Sequence, residues 1–362
     1  MYEIERRKTR LVKAGKIAFG SDAPLVIQSM NSTDTRDVEA SLKQIAELKE
    51  AGCHLTRLAV PDFTAANALK EIVKYSPLPI VADIHFDYKL ALAAIDANVC
   101  KIRINPGNMK MNGGLKEVVQ AAKAKHIAIR VGVNAGSLNP KILRKYGGPT
   151  AEALVESAKE AINMLEEENF YDIVLSLKSS FPLLTIQAYR LMANVCDYPF
   201  HIGVTEAGTL REGTIRSAVG IGTLLAEGIG DTLRVSLTAA PVEEVKAAIS
   251  ILKSLGLSEG LTFISCPTCG RTEVDLINVA NEVEKRLADI KVNAKVAVMG
   301  CKVNGPGEAR GADYGIAGGK GNYLLFKKGV TIKKVSEDGA IDALISEILQ
   351  DQAKAKTAQA KI

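Results

Sequence analysis

A chain of 362 residues with 47% hydrophobic and 24% charged residues has an ordinary globular composition, enough for about two domains. A net charge of +5 with no basic block argues against a nucleic-acid binder. The charged opening MYEIERRKTRLVKAGK lacks the apolar core of a signal peptide, and no apolar run nears the ~20 residues of a membrane span. The expected location is cytoplasmic, with the six cysteines reduced and those at close spacing candidates for metal or redox chemistry.

Residues 8–23 read as a small hairpin. Eight short β-branched runs follow: PLVIQSM (24–30), HLTRLAV (54–60), LPIVADIHF (78–86), CKIRINPG (100–107), IAIRVGVN (127–134), DIVLSLKSS (172–180), FHIGVTEAG (200–208) and DTLRVSLT (231–238). Amphipathic helical patterns such as VEASLKQIAELKEAG and DYKLALAAIDA lie between them. This alternation predicts an α/β fold with a parallel sheet, and eight units in roughly 240 residues fit a TIM (β/α)8 barrel. An open doubly wound sheet is the alternative, weakened because no G-x-G-x-x-G turn follows the first run. The segment AGSLNPKILRKYGGPT reads as an extra loop, and Cys53, Cys100 and Cys196, each ahead of a strand, as buried structural thiols at the bottom of the barrel. The barrel is expected to occupy residues 1–258. From 259 to 362 the rhythm changes to a small α+β domain: a strand into SCPTCGR, a helix, a strand AKVAVMGC, a glycine-rich stretch, further strands from YLLFKK onward, a last helix and a fraying tail.

Active sites of such barrels lie at the C-terminal ends of the strands. Those ends carry Asn31, Arg57, Asp83, His85, Arg103, Asn105, Arg130, Asn134, Lys178, His201, Glu206, Arg234 and Ser236. Five are fixed cations, and such a ring repels itself unless it binds an anion. Guanidinium forks suit phosphate, so a polyanionic substrate such as a diphosphate is expected. The competing reading makes individual arginines members of buried ion pairs. Glu206, among cations, is the best general-acid candidate, its alternative a salt bridge that orders an arginine. His85 and His201 read equally well as hydrogen-bonded packing residues.

In the second domain Cys266 and Cys269 form C-x-x-C and Cys301 follows at a distance, which suits zinc or an iron–sulfur cluster. No histidine lies there to complete a zinc site. The remaining candidates for a fourth ligand are carboxylates near the glycine turn, chiefly Glu308.

The stretches PLVIQSMNSTDTRDVEA, VADIHFD, KIRINPGN, IRVGVNAGSL, HIGVTEAG, SCPTCGRTEVDL and VMGCKVNGPGEA together resemble the hydroxymethylbutenyl diphosphate synthase family over about residues 8–345. The resemblance is to the compact two-domain bacterial form. It implies reductive ring opening and dehydration of 2-C-methyl-D-erythritol 2,4-cyclodiphosphate, with a [4Fe–4S] cluster fed by flavodoxin or ferredoxin. It implies cluster ligands Cys266, Cys269, Cys301 and a displaceable Glu308, and Glu206 as acid. It also implies diphosphate contacts from Arg57, Arg103, Arg130, Lys178, Arg234 and Ser236, with Asn134 and Asn304 alongside. A homodimer in which each cluster domain caps the partner's barrel is implied as well, and agrees with the geometry: the helix after the eighth strand returns to the barrel bottom, leaving only a short linker. A zinc-stabilised non-redox barrel enzyme and a non-catalytic cluster-bearing electron carrier are the competing readings. The first predicts a colourless protein, and the second leaves the convergent cations unexplained.

Overall fold

The computed structural model describes residues 4–85, 87–104, 114–288, 290, 292–302 and 309–359, with side chains to 354. The chain divides into two compact units, Met1–Leu255 and Gly256–Ile362. The first contains β1 (Val12–Ala14), β2 (Ile17–Phe19), β3 (Val26–Met30), α1 (Val38–Glu50), β4 (Leu55–Val60), α2 (Phe63–Tyr75), β5 (Ile80–Ile84), α3 (Tyr88–Asp96), β6 (Lys101–Ile104), α4 (Gly114–Lys125), β7 (Ala128–Asn134), α5 (Pro140–Tyr146), α6 (Ala151–Glu167), β8 (Ile173–Lys178), α7 (Pro182–Ala193), β9 (His201–Ile202), α8 (Leu210–Ala226), β10 (Thr232–Leu233) and α9 (Pro241–Ser254).

Each of the eight apolar runs contributes one strand, β3 to β10, in a parallel sheet ordered β8-β7-β6-β5-β4-β3-β10-β9. The helices between them start where the sequence supplies a cap. Asp37, Asp62, Asp87 and Thr150 each accept a backbone N–H in the first turn of the following helix. Their apolar stripes then face the sheet; on α6 the stripe includes Leu154, Ala158, Ala161, Ile162 and Leu165.

The ring closes between β8 and β9 through one bridge, Leu175 to Phe200. Tyr189 of α7, wholly buried, reinforces this seam. Its hydroxyl accepts from Leu177 N–H at 3.0 Å and donates to His201 C=O at 2.6 Å, joining the two strands where ladder bonds run out. Arg7 clamps the same region by donating to the carbonyls of Cys196 (2.7 Å) and Tyr198 (2.5 Å) while lying over the Phe200 ring. At the other end β1 and β2 form the expected hairpin, and Val12, Ala14 and Phe19 plug the lumen against Val26, Leu55, Val81, Ala128 and Val174.

Three expectations for this unit change. Residues 135–150 are not a plain loop. They hold a 3-10 turn, Ala135–Ser137, and the short helix α5, started by Asn139 with Pro140 in its first turn and stopped by Gly147 at φ 70°. Seven residues are too few to show a period. Strands β9 and β10 are shorter than their apolar runs, because the two chains converge at Gly203, where a Cβ would meet the Arg234 carbonyl oxygen at 2.4 Å. Of the three thiols ahead of strands only Cys53 is buried; Cys100 lies half-buried under the hairpin and Cys196 half-buried beside Arg7.

The second unit contains β11 (Thr262–Ser265), α10 (Leu276–Leu287), β12 (Lys295–Met299), β13 (Tyr314–Gly319), β14 (Asn322–Lys327), β15 (Val330–Ser336) and α11 (Ala340–Gln359). The sheet runs in sequence order, parallel from β11 to β13 and antiparallel from there to β15. Leu276, Val283 and Leu287 of α10 and Leu344 and Ile348 of α11 pack on Val296, Val298, Ile316 and Leu325. Strand β13 lies inside the stretch read as merely glycine-rich. Gly315 and Gly318 are closely packed there: a Cβ on Gly315 would lie 2.2 Å from the Phe326 ring, and one on Gly318 2.6 Å from Val274. Helix α11 also continues through the tail expected to fray. Among the described residues no helix is long and apolar enough to cross a membrane.

Replacing Tyr189 by Phe keeps the ring but strips both seam bonds. The loss expected is about 2–4 kcal/mol, since each orphaned buried group costs about 1–3 kcal/mol. Urea unfolding reads it, and a loss under ~0.5 kcal/mol would show that the seam does not depend on the hydroxyl.

Candidate active site

Along a strand every second side chain faces the lumen. Starting from the apolar floor, the next lumen positions turn polar: Leu55 is followed by Arg57, Val81 by Asp83, Ala128 by Arg130, and Val174 by Ser176 and then Lys178. On β6 both positions are cationic, Lys101 and Arg103. Just beyond β10, Arg234 and Ser236 continue the series from Thr232. All five predicted cations therefore belong to the barrel interior. Arg103, Arg130 and Lys178 are buried; Arg57 and Arg234 are half-buried.

Two carboxylates meet this charge. Asp83 binds Arg103 Nη1 at 3.1 Å and lies 3.6 Å from Arg57 Nε. Burial acts to raise the Asp83 carboxyl, but Arg57, the His85 hydrogen bond and Arg103 outweigh it and hold the group well below the usual carboxylate range. The second is Glu244 of α9, which strand-end reasoning missed. It is buried and takes Arg234 in a two-point fork, Oε2 to Nε at 3.1 Å and Oε1 to Nη2 at 2.9 Å. It also accepts from Ser29 Oγ (2.9 Å) and Leu237 N–H (3.1 Å), tying down the segment that carries Ser236. The only early signal was its place in the helix after the eighth strand, where amphipathicity does not mark an inward-facing acid. Met30 Sδ lies 3.0 Å from Arg57 Nη2 and 3.5 Å from Arg234 Nη1, a polarizable surface between two cations.

Positive charge remains in excess. Burial, then repulsion by Arg57 and Arg103, drives Arg130 well below its ordinary value. Lys178 is driven the same way by burial and by Arg130, Arg234, Arg57 and Arg103. Arg57 falls to about 10, burial and its cationic neighbours outweighing Asp83. Arg130 Nε and Nη1 and Arg103 Nε have no hydrogen-bond partner among the described residues. Two glycines make room for the crowd: a Cβ on Gly132 would lie 2.6 Å from Arg103 Nε, and one on Gly203 2.8 Å from Lys178 Nζ. Unsatisfied donors around concentrated positive charge define an anion receptor.

Glu206, Asn134 and His85 line a cavity of about 410 Å³ together with Ser179, Thr205 and Phe181. Glu206 is exposed and held at φ 53°, a conformation rare for a residue with a side chain. His85 joins the cavity to the cations: its Nε2 lies 3.0 Å from Arg103 Nη1. The other two polar predictions have structural places. Asn31 is buried, accepting from Thr56 Oγ1 and donating to Ser41 C=O. His201 is not at the mouth. It is fully buried in the lumen at the start of β9, with Nδ1 3.3 Å from Thr232 Oγ1. Asn105 lies outside the described residues.

In the second unit the parallel strands β11 and β12 end side by side, Ser265 opposite Val298, which delivers Cys266 and Cys301 from neighbouring strand ends. Gly300 N–H donates to Cys266 Sγ at 3.1 Å, while its carbonyl accepts from Glu273 N–H at 3.0 Å. The C-x-x-C turn is tied by Thr272, whose Oγ1 accepts from Cys269 N–H at 3.1 Å. The Arg271 backbone N–H, aided by Thr272 and the Arg271 charge, lowers the exposed Cys269 thiol. All three thiols are free. Among the described residues no three His, Cys, Asp or Glu side chains converge on one metal ion. Glu308 and Asn304 lie outside the described residues. The donor set fits a cluster: free thiols, an N–H···S bond already aimed at one of them and a second thiol poised toward thiolate. Thiolates of a cluster attach to separate irons and need not converge on a point.

The first unit is thus a (β/α)8 barrel of the enzyme kind with an anion-receptor lumen, and the second a thiol-bearing α+β domain. Residues 9–249 match the GcpE TIM-barrel domain and residues 262–350 the GcpE protein C-terminal domain, and the chain belongs to the GcpE family. It is 59% identical over 346 residues to the 4-hydroxy-3-methylbut-2-en-1-yl diphosphate synthase (flavodoxin) of Clostridium perfringens, covering 95% of this chain and 99% of that protein. With the enzyme of the same description from Clostridium acetobutylicum the identity is 57% over 346 residues, with the same coverage. Among solved structures, a dihydropteroate synthase of Xanthomonas albilineans aligns with 69% of this chain and 99% of its own at 13% identity and a TM-score of 0.47.

Removing Glu244 with Ala leaves Arg234 and Leu237 N–H unpaired inside the protein. A stability loss of about 3 kcal/mol is expected in chemical denaturation; a loss below ~1 kcal/mol would show that Arg234 is held by other means.

Proposed function

We propose that this chain is a 4-hydroxy-3-methylbut-2-en-1-yl diphosphate synthase, an oxidoreductase of the non-mevalonate isoprenoid route. The observation that carries the reading is the excess of buried cations in the barrel lumen, which suits a cyclic diphosphate; the names of the relatives support it independently. The substrate would be 2-C-methyl-D-erythritol 2,4-cyclodiphosphate and the electron donor flavodoxin or ferredoxin. In the balanced reaction a carbon–oxygen bond to phosphate and the carbon–oxygen bond of the neighbouring hydroxyl break. Two electrons enter, one proton leaves with the hydroxyl as water, and a carbon–carbon double bond forms.

Arg57, Arg103, Arg130, Lys178 and Arg234 would hold the diphosphate, with Ser236 and Asn134 at its margin. Asp83 and Glu244 keep the guanidinium planes oriented. Glu206 would hand the proton to the departing hydroxyl oxygen, from a cavity it shares with Asn134. Cys266, Cys269 and Cys301 would bind an iron–sulfur cluster, read as [4Fe–4S] with Glu308 as fourth ligand and Asn304 nearby. Bound there, such a cluster supplies electrons one at a time.

A shared site between two copies of the chain is part of the proposal. Helix α9 begins beside the top of β3, where Ser29 Oγ donates to Pro241 C=O, and runs back until Ile249 packs at Gly52, ahead of β4. The chain therefore leaves the barrel at the face opposite the cations. A cluster domain that caps the partner's barrel in a symmetric homodimer fits this exit.

Anaerobically prepared protein should be brown, with about four irons and matching sulfide per chain, and should convert the cyclodiphosphate when given reduced flavodoxin. Stoichiometric zinc without a visible band would overturn the cluster reading. Glu206→Gln should lower kcat by about 10²–10⁴-fold with the iron content intact; an unchanged rate removes its role as acid. Mixing Glu206→Gln protomers with Cys301→Ser protomers should restore about a quarter to a half of the activity if one site draws on two chains, and no recovery argues against sharing.

A further inference from the structure

Glu206 sits at φ 53°, in the left-handed region where a Cβ is disfavoured. A residue with a side chain stays there only when its surroundings over-determine the backbone. Residues 204–208 are held in that way. Val204 is wholly buried against Gly220 of α8, where a Cβ would come within 2.5 Å of Val204 Cγ2, and Ala207 is wholly buried as well. These two anchors leave Thr205 and Glu206 to span the gap between them. Hydrogen bonds then fix both sides of the turn. Thr205 N–H donates to Ser179 C=O at 3.2 Å, Arg216 Nη1 of α8 donates to Ala207 C=O at 3.2 Å, and Thr238 N–H donates to Gly208 C=O at 2.9 Å.

The Ser179 carbonyl is itself set by a side chain that the proposed reaction leaves unused. Thr185 of α7 is buried, and its Oγ1 accepts from Ser179 N–H at 3.1 Å and donates to Ser179 C=O at 3.2 Å. Ser179 Oγ in turn accepts from Phe181 N–H at 3.1 Å. With both backbone groups of Ser179 held by one hydroxyl, the direction of its carbonyl is fixed. That direction decides where the Thr205 amide sits, one residue before Glu206. Ser179, Thr205 and Glu206 all line the cavity that holds Asn134 and His85. The sign of φ decides to which side of the turn the Cα–Cβ bond points, so the strain at Glu206 sets the direction of its carboxyl.

We propose that Thr185, with Arg216 acting from the other side, is a positioning residue. Through the Ser179 carbonyl it holds the 204–208 turn and keeps Glu206 left-handed with its side chain in the cavity. Its consequence for turnover rests on the proposed role of Glu206 as acid, whereas the clamp itself rests on the turn alone. The experiment therefore has two arms.

The first reads no turnover. Glu206→Gly should unfold about 2–4 °C above Glu206→Ala, because only the alanine brings a Cβ into the left-handed region. Thr185→Val removes the hydroxyl and keeps the shape. In that background the difference should fall by half or more, and an undiminished difference overturns the clamp. If Thr185→Val does not fold, Arg216→Ala, at an exposed position, must produce the same fall or the clamp is rejected. The second arm uses the cluster-loaded enzyme. Thr185→Val should lower kcat about 10–100-fold with KM for the cyclodiphosphate unchanged, and Thr185→Ser should keep a rate near the parent's. Once Glu206 is replaced by Gln, Thr185→Val should cost nothing more. A raised KM at unchanged kcat, or additive losses, overturns the positioning role. If Glu206→Gln turns over at the parent rate, the acid reading fails, and the first arm still decides whether Thr185 clamps the turn.

Discussion

Mutual repulsion among cations enclosed in the barrel is the constraint to which the rest of the first unit answers. Charges of one sign inside a low-dielectric lumen oppose folding, and the depressed values of Arg57, Arg130 and Lys178 report that cost. The surrounding features contain it. Asp83 bridges two arginines from a neighbouring strand, and Glu244 reaches in from outside the sheet to fork a third. Gly132 and Gly203 give up side chains where guanidinium and ammonium groups need the volume. The hairpin supplies an apolar floor that keeps solvent from entering below.

The pairing is selective. Arg57, Arg103 and Arg234 are oriented by carboxylates, whereas Arg130 has two nitrogens without a partner among the described residues. An acid opposite each cation would give a more stable and inert barrel, and no acid at all would leave long side chains without a fixed direction. Partial neutralisation fixes geometry and retains enough charge to attract an anion.

Much of this architecture is legible in the sequence because it rests on short-range regularities. Short β-branched apolar runs alternating with helical patterns gave the eight strands, and Asp and Thr caps mark where several helices begin. The cations were legible because five Arg and Lys residues recur at the ends of apolar runs, more than isolated ion pairs would account for. The missed features depend on long-range geometry. Glu244 sits in an ordinary amphipathic helix and becomes part of the site only when α9 folds back on β3 and β10. The strandedness of Tyr314–Gly319 was hidden by glycines whose selection reflects the closeness of Phe326 and Val274. Placing His201 at the mouth failed because β9 starts only at that residue, so it lies level with the floor residue Val26. Glu308 and Asn304 were read from motif alone.

The two units use strand ends differently, and the difference follows from their chemistry. In the barrel, parallel strands converge on an axis, so side chains from many strands share one enclosed space and charge accumulates there. In the second unit the parallel strands β11 and β12 lie in an open sheet and deliver thiols to its rim, where Cys269 is exposed and Cys266 and Cys301 are half-buried. Cations that bind phosphate gain from burial, because low dielectric and excluded water strengthen each contact. Thiols that bind the proposed cluster would need the opposite, a position near the surface with donors that stabilise the thiolate. The N–H groups of Gly300 and Arg271 provide such donors from the backbone itself, so the electrostatics of this rim are set by the turn conformations more than by neighbouring side chains. Charge in the barrel is set by residue identity, and at the thiol rim by backbone shape, which is why the first could be read from composition along the strands and the second only from the fold.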